Sequence, residues 1–526
     1  MTISERPNQS GVTARILELT STPAAWHRRL WRGGTIQIAR ELLEESVLAG
    51  IPVAAVDDMK RYLGHALSSD PGIADRGRAT KAAIGAIKPG ITTESYAWVN
   101  LREHVDRMEA AYLQTWAAEF DRGNSIDTEG AARRIAAHIL DSGYHKNSLY
   151  SWLRAARNDT QTVTFAEFLT EAGERLHRPE RAYTFCVPVT TAPRFPITPE
   201  AAPGWITATN TVTWKRVHAP EAPPIRHQGA FLLSITAKDI NSAAERARSR
   251  IADLENKFHF GHRPLRVAAQ MWSKEKGDTF PTQSTNRTLD VHAFENLGRL
   301  QDLTVPAYID SALALVQPVR TGAAHIAVMS GWSAIESLLV GVADDADVIA
   351  AQRFSLIIAA SVARAEMTAL AWAYCRSNDD ALADELRGMT QNIERAKRFQ
   401  MHLCSGTPTA MRAETDSLAL ERIRPLLREP QRGVTRIAEI LTREFVRLYR
   451  KRNLIVHGGR THSNNLHAIT ETVSPLIGAG IDRIVHVGLK YEIPPIQLAA
   501  TAEAKLHYLT PATADHPGNL LDLLEP

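Results

Sequence analysis

The stretch that most constrains the fold lies near the C-terminal end of the chain, at residues 441–460. Its apolar side chains recur at three- and four-residue steps, which is the spacing that places them on one face of an α-helix. Gly458 and Gly459 then end the helix, because glycine readily adopts the left-handed conformation of a C-terminal cap. The apolar residues of this face are Leu441, Phe445, Leu448 and Ile455. A helix with such a face is expected to pack against other helices.

The same helix carries a compact set of polar residues. Arg452 follows Leu448 by four residues and falls on the apolar face, where a charge is costly unless it is paired or used. Asn453 follows it directly, and His457 lies five residues after Arg452. A guanidinium can grip two phosphate oxygens, and an imidazole can transfer a proton near neutral pH. The set therefore predicts a site that handles phosphate.

Three stretches carry a resemblance to a known family. Residues 452–457 (RNLIVH) resemble the R-x4-H motif of the HEPN superfamily, in particular its ApeA-like branch. Residues 331–339 (GWSAIESLL) resemble that family's first core helix with its W-x-x-x-E pattern, and residues 353–356 (RFSL) resemble the start of the second. The resemblance covers about residues 301–490. It implies a helical bundle and a metal-independent RNA endonuclease of a bacterial defence or toxin system.

RNA carries its own nucleophile, the 2′-hydroxyl, so its cleavage needs proton transfer and stabilisation of a charged phosphorane, but no metal or other cofactor. On this hypothesis His457 is the general acid and base, and Arg452 stabilises the phosphorane. Asn453 orients the phosphate or His457. Glu336 is predicted to pair with Arg452 and hold it in place.

The spacing of Arg452 and His457 raises a geometric question. Five residues of ideal helix separate two side chains by about 140°, so the two do not share one face. Either the glycines let His457 swing round, or each site is built from two chains. The family resemblance implies the second arrangement, a homodimer with facing motif helices. We expect Phe445, Leu448 and Tyr449 to contribute to that interface.

Net charge limits how the chain contacts RNA. The formal charge is only +3 and the sequence pI is about 8.7, so any contact with tRNA, rRNA or mRNA must use a local basic patch. Basic residues of the motif helix are the candidates for this patch, or are simply its solvated face. The predicted RNA-binding residues are Arg447, Arg450, Lys451 and Arg460.

Cysteine usage and hydropathy bear on the compartment. The three cysteines lie far apart and form no C-x-x-C, which fits a reducing cytoplasm and argues against a disulfide framework or a zinc finger. The first residues lack the apolar core of a signal peptide, and no window approaches a membrane span. We therefore expect a cytoplasmic protein that makes no use of a membrane.

A chain of 526 residues is expected to form several domains. The predicted class is mainly α, with an N-terminal helical domain (1–180) that has a sensor or regulatory role. A proline-rich segment with a small α+β domain follows (181–300), and then the HEPN-like bundle (301–490) and a peripheral C-terminal strap (491–526). We expect residues 1–295 to restrain the bundle, or to await a phage-derived signal or a partner protein.

The middle segment gives more detailed predictions. Eight prolines between Cys186 and Gln228 predict a linker or irregular edge, because proline is excluded from helices and central strands. Residues 205–207 and 211–214 have β-like character, and residues 230–235 and 265–271 read as strands. Between these two strands, Ser242 and Glu245 form a capping box that opens a helix.

Two alternatives of other classes stay open. The bundle is a catalytically silent interaction scaffold, or the helical hairpin at residues 131–156 is a helix-turn-helix that offers Lys146, Asn147 and Ser148 to DNA. Residues 26–32 mix tryptophan with basic residues, which suits either nucleic-acid stacking or an ordinary amphipathic helix. The chain has no G-x-G-x-x-G or Walker A sequence, which argues against a nucleotide-dependent motor.

Overall fold

The chain folds into a mainly helical protein with one small sheet. Helices make up 66% of the structure, which confirms the predicted fold class at this level. The structure is a computed structural model. It describes residues 2–4, 11–31, 33–48, 51–73, 78–123, 126–158, 162–192, 202–262, 264–283, 287–344, 348–459 and 464–525.

The N-terminal region is built from eight helices within its described residues. Its core centres on the longest of them, whose Tyr112 and Trp116 are fully buried. A short parallel pair of strands, β1 (Thr2–Ser4) and β2 (Thr162–Thr164), joins the start of the chain to the last helix. The helices are α1 (Val12–Thr20), α2 (Thr35–Ser46), α3 (Val53–Ser69), α4 (Arg78–Ala86), α5 (Tyr96–Asp121), α6 (Thr128–Asp141), α7 (Lys146–Asn158) and α8 (Phe165–His177).

The middle region is an antiparallel sheet with one long helix packed on it. Its strand order is β4-β5-β3-β7-β8, with β6 also paired to β3. The predicted strands at residues 230–235 and 265–271 are present as β5 and as the pair β6 and β7. The elements are β3 (Arg181–Thr191), β4 (Trp205–Thr207), α9 (Ala208–His218), β5 (Gly229–Ala237), α10 (Ile240–Phe260), β6 (Arg266–Val267), β7 (Gln270–Ser273) and β8 (Thr279–Pro281).

Three details of the middle region differ from the sequence predictions. Strand β3 runs through Pro188, and the missing N–H of that residue faces the break between β6 and β7, where proline is tolerated. Residues 211–214 are helical because the Thr207 side chain accepts the Asn210 N–H and caps α9. Helix α10 begins before the predicted capping box, because the Asp239 carboxylate accepts the N–H groups of Asn241 and Ser242.

The C-terminal region is a helical bundle that contains three long helices of 28 to 30 residues. The Phe354 ring packs edge-on against Phe445 at 5.0 Å between centroids, and the Trp332 ring lies 4.8 Å from Tyr449. These contacts pack two of the stretches that carry the family resemblance, 331–339 and 353–356, against the helix that carries the third at its C-terminal end. The helices are α11 (Ala293–Asn296), α12 (Ala307–Thr321), α13 (Ala324–Leu339), α14 (Val348–Ser377), α15 (Ala381–Gly388), α16 (Asn392–Cys404), α17 (Glu414–Arg428), α18 (Pro430–Gly458), α19 (Asn464–Tyr491) and α20 (Pro495–Leu506).

The C-terminal residues belong to the bundle core, and the predicted peripheral strap is not found. Helix α20 buries Leu498, Ala499 and Ala502 in that core. Beyond it, leucines near the end of the chain are also buried, and the Glu525 carboxylate accepts hydrogen bonds from Arg483 and Tyr491 at 2.6 Å each. These leucines are Leu520, Leu521, Leu523 and Leu524. These four leucines span only five residues, the first three of which form a 3-10 turn, and this segment is too short to show a helical period in the sequence.

Helix α14 is long and apolar enough to cross a bilayer by length and composition. Its most apolar window has a mean hydropathy of 1.4, so the prediction that no window approaches this range was wrong. Of that window 67% is buried inside the protein, and neighbours such as Phe445 cover it. This burial is typical of the core helix of a folded domain.

Candidate functional site at the end of helix α18

The C-terminal end of α18 presents the predicted polar residues to solvent. Gly459 adopts the left-handed conformation (φ 61°), and its N–H donates to the Ile455 carbonyl at 3.1 Å, which confirms that the glycines end the helix. His457 lies exposed in the last turn. Arg452 is half-buried, and its Nη1 donates to the Asn453 Oδ1 atom at 2.9 Å. The two polar residues before His457 are thus held against each other, one and a half turns from it.

The apolar face is as predicted, but the buried cation is not. Leu441, Phe445 and Leu448 are fully buried, whereas Arg452 sits at the edge of the face. Arg447 and Lys451 are the buried cations of this helix, each only 3% exposed. The physical reason is that α18 is covered on two sides, so its charged face is enclosed as well as its apolar one.

The predicted pairing of Glu336 with Arg452 is absent. Glu336 is half-buried on α13 and forms no ion pair with a cation among the described residues. Helix α13 contacts α18 through Trp332 and Tyr449, whose rings pack against each other at an angle of 44°. The Arg452 side chain is therefore positioned by its neighbour Asn453, not by Glu336.

The predicted RNA-binding residues of α18 are engaged with the N-terminal region. Arg447 is 3% exposed and donates from Nη2 and Nε to Glu41 Oε1 on α2, at 2.6 and 2.9 Å. Lys451 Nζ donates to Glu45 Oε1 at 2.9 Å, and Arg450 Nε donates to Glu45 Oε2 at 3.2 Å. In this conformation these three cations cannot form the expected patch. Arg460, the fourth, lies outside the described residues.

We call these five residues of α2 and α18 the ionic interface: Glu41, Glu45, Arg447, Arg450 and Lys451. Burial would raise the pKa of Glu41, but the positive charge of Arg447 and Lys451 dominates and lowers it to about 2. The Arg447 pKa is raised by the carboxylates around it, although burial acts in the opposite direction. Both partners are therefore charged at neutral pH, and each compensates for the burial of the other.

Two further acids flank the ionic interface and behave differently. Glu444 Oε1 accepts the Gly33 N–H at 3.2 Å, and Asp141 Oδ2 accepts the Gly34 N–H at 2.7 Å. Burial raises the pKa of Asp141 to about 7, against the opposing charge of Arg447. Burial also raises the pKa of Glu444. These acids hold the turn before α2 against α18.

The dimer contact predicted for α18 is not available in this conformation. Phe445 and Leu448 are 0% exposed inside the bundle, and Tyr449 is half-buried against Trp332. On the opposite side, α2 covers the charged face. Val456 is the large apolar residue that α18 leaves exposed beside His457.

The hairpin of α6 and α7 has the predicted turn, with Gly143 in the left-handed region at φ 95°. Two of its three predicted DNA contacts are already engaged within the chain. Lys146 forms an ion pair with Glu471 on α19, and Ser148 Oγ donates to Asp239 Oδ1 at 2.6 Å. Residues 26–31 are largely buried and serve packing and ion pairing.

A cleft of about 830 Å³ lies between the three regions and was not predicted from the sequence. Its wall comes from segments far apart in the chain: the residues before α2, the start of α7, α10, the start of α13 and the start of α19. No single segment carries a motif for it, so only the fold reveals it. Arg447 of the ionic interface lies at its wall.

Comparisons with models of known protein families, with curated proteins and with solved structures returned no match.

Proposed function

We propose that the end of α18 is the active site of a metal-independent RNA endonuclease, with His457 as general acid and base and Arg452 as the phosphorane-stabilising cation. The observation that carries this proposal is the exposure of His457 in the same short segment as the hydrogen-bonded pair Arg452 and Asn453. The neighbouring cations on α18, which are Arg447, Arg450 and Lys451, already form ion pairs with Glu41 and Glu45. Arg452 faces no carboxylate within ion-pair distance among the described residues, so its charge is available to a phosphate.

The resemblance to HEPN nucleases adds a biological role to this proposal. The enzyme would be the toxic effector of a bacterial antiphage or toxin–antitoxin system, acting on host RNA in the cytoplasm. Packing of Trp332 and Phe354 against α18 supports this reading, because two of the resembling stretches contact the helix that carries the third.

A toxic nuclease must be restrained, and the ionic interface is our candidate for the restraint. Helix α2 covers the face of α18 that carries Arg447, Arg450 and Lys451. A second buried network joins the same regions, since Arg28 pairs with Glu366 on α14 at 2.7 Å and with Asp416 on α17 at 2.7 Å. Displacement of α2 would free three cations for RNA and one face of α18 for a second chain.

Purified protein incubated with RNA tests the active site. His457→Ala and Arg452→Ala should each reduce cleavage at least about 100-fold, because each removes a group that acts in the transition state. EDTA should have no effect, and the products should carry 2′,3′-cyclic phosphate and 5′-hydroxyl ends. His65→Ala and Arg436→Ala, which change exposed residues elsewhere, are the matched controls. Full activity in either site variant would refute the assignment, as would 5′-phosphate products.

Mixing chains tests the dimer. If two copies of α18 form a composite site, Arg452→Ala and His457→Ala chains should together regain cleavage that neither shows alone. An active monomer in sedimentation would contradict this arrangement. The scaffold alternative would be favoured by a folded chain that binds a protein partner equally well with and without His457.

A separate variant tests the restraint. Glu41→Gln with Glu45→Gln removes both negative charges of α2 from the ionic interface and should increase cleavage and toxicity. Glu44→Gln, on the exposed side of the same helix, is the control. If the double variant stays folded and its cleavage falls, α2 is an activator and not a restraint.

A further inference from the structure

The N-terminal ends of three helices lie in the wall of the cleft between the three regions. It is lined by residues 143–146 at the start of α7, residues 321–325 at the start of α13, and residues 466–468 in the first turns of α19. The first amides of a helix have no partner within it, and the helix dipole adds partial positive charge there. Helix α13 begins at Ala324 without a side-chain cap. The uncapped first turn of α13 therefore offers backbone donors to the cleft, whereas at the start of α7 the His145 N–H already donates to Asp239 and the Asn147 N–H to His145 Nδ1.

Cations lie around Glu471, one of the acids that line the cleft. Lys146 forms an ion pair with it, and Arg287 Nε lies 3.9 Å from its Oε1 atom. Arg29 is the third cation on which the negative charge of Glu471 acts. Burial lowers the pKa of Arg29, and the charge of Glu471 opposes that change.

Arg29 is buried without a carboxylate of its own. Its side chain lines the cleft, is only 9% exposed and donates to the carbonyls of Ala24, at 2.7 Å, and Thr22. No carboxylate lies within ion-pair distance of it among the described residues. A buried guanidinium without a counter-ion is costly, so the site favours an anion.

Two histidines provide a flat surface in the same cleft. The rings of His145 and His467 stack at 6.0 Å between centroids with 22° between planes. Burial lowers the pKa of His145 to about 4, so that ring is neutral at pH 7. His467 Nε2 is buried and has no hydrogen-bond partner among the described residues. An unsatisfied buried nitrogen is rare in proteins and indicates a missing partner.

We propose that this cleft binds a phosphate-bearing ligand of nucleotide size. Phosphate suits the uncapped start of α13 and the buried Arg29, which has no carboxylate within ion-pair distance among the described residues. The volume of about 830 Å³ falls within the range of small-molecule sites. Asp253 and Glu255 also line the cleft, and their carboxylates can accept hydrogen bonds from the hydroxyl groups of a nucleoside.

The position of the cleft links ligand binding to the ionic interface. Arg447 and Gly33 line it, and Arg447 also binds Glu41. A ligand that interacts with Arg447 changes the strength of that ion pair, and the two equilibria are then coupled. This regulatory consequence rests on the proposed nuclease function, whereas ligand binding itself does not.

Isothermal titration calorimetry with ATP and with inorganic pyrophosphate tests the site on full-length His457→Ala protein. That background separates binding from RNA cleavage, so the two proposals can fail independently. We expect saturable binding below about 1 mM. Arg29→Lys and Lys146→Gln should each weaken binding at least about 10-fold, the scale of one charge-assisted contact. Arg40→Lys changes an arginine paired with Glu109 and Asp106 outside the cleft and should have no effect.

Ala324→Glu is a further test variant, chosen because loss of binding in it would not result from misfolding. A carboxylate in the first turn of α13 suits the helix dipole and should preserve the fold, but it places negative charge inside the cleft and should abolish binding. Tighter binding of ATP than of pyrophosphate would identify a nucleotide ligand, and equal binding would identify a phosphate ligand without nucleoside recognition. The proposal is overturned if neither probe binds, or if Ala324→Glu binds both like the parent protein.

Discussion

The two faces of α18 make contacts of opposite character. One face buries Leu441, Phe445 and Leu448 against the bundle, and the other buries Arg447 and Lys451 against α2. Apolar burial stabilises in rough proportion to area and has no preferred alternative partner. A buried ion pair gives little net stability, but it is lost when either charge is removed or finds another partner. The apolar face therefore fixes the bundle, and the charged face is suited to exchange partners.

The largest expected loss of stability comes from a substitution in the apolar face of α18. Phe445→Ala should lower the free energy of unfolding by about 3–5 kcal/mol, because it leaves a cavity beside Phe354. Urea unfolding measures this change. Val456→Ala, on an exposed position of the same helix, should change stability by less than about 0.5 kcal/mol. Similar losses for the two variants would mean that the bundle does not depend on this face.

The next largest effect is expected when one charge of the ionic interface is removed. Glu41→Gln leaves the Arg447 guanidinium buried without its carboxylate and should cost about 3 kcal/mol. Replacing both residues, with Glu41→Met and Arg447→Met, should recover most of that loss, because it removes the uncompensated charge. No second substitution of this kind would rescue Phe445→Ala. If the double variant is as unstable as the single one, packing and not charge governs this interface.

Sequence patterns predicted the apolar face better than the charged one. The period of Leu441, Phe445 and Leu448 depends only on local geometry, so the helix and its buried face were predictable. The fate of Arg447, Arg450 and Lys451 depends on Glu41 and Glu45, about 400 residues earlier in the chain. A cation looks the same in sequence whether it binds RNA or a distant acid. The cleft was hidden for the same reason.

Two predictions made from proline and β-branched residues were wrong. In each case a tertiary contact or a helix cap overrides the local conformational preference of the residues. Pro188 lies inside β3, but the sheet is interrupted on the side where its N–H is missing. Thr211, Val212 and Thr213 have β character, yet the cap at Thr207 starts a helix through them. Whether Arg452 and His457 act on RNA stays a prediction, since geometry alone does not test it.

A smaller effect disturbs the charged face without changing a charge. A Cβ atom on Gly33 would collide with Arg447 Nη1, so Gly33→Ala should displace the guanidinium and cost about 1–3 kcal/mol. Gly64→Ala is the matched control. That position lies inside α3 with nothing within 4 Å of the added atom, and the change should stabilise the protein by about 0.5–1 kcal/mol. Equal behaviour of the two variants in urea unfolding would show that Arg447 moves aside freely.

A change of pH tests the charged face without any substitution, because the acids on and beside α2 respond to pH in opposite directions. The pKa of Asp141 is raised to about 7 in the folded protein, from an ordinary value of 3.8. Between these values the folded protein keeps a proton that the unfolded chain has lost. The stability from this group is therefore complete below about pH 4 and is lost as pH rises through about 7, by at most about 1.4 kcal/mol per pH unit.

The contribution of the Glu41 carboxyl to stability depends on pH in the opposite direction. Its pKa is lowered to about 2, so this contribution is lost only as pH falls toward that value. Asp141 faces Arg447, Glu41, Glu444 and the Gly34 N–H, and the raised pKa of Glu444 adds to the same trend. Asp141→Asn keeps an acceptor for Gly34 but cannot ionise. Urea unfolding at pH 5 and pH 7 should show a smaller loss of stability in this variant than in the wild type. Equal losses would mean that Asp141 ionises normally, and that the contact between α2 and α18 does not weaken through this group.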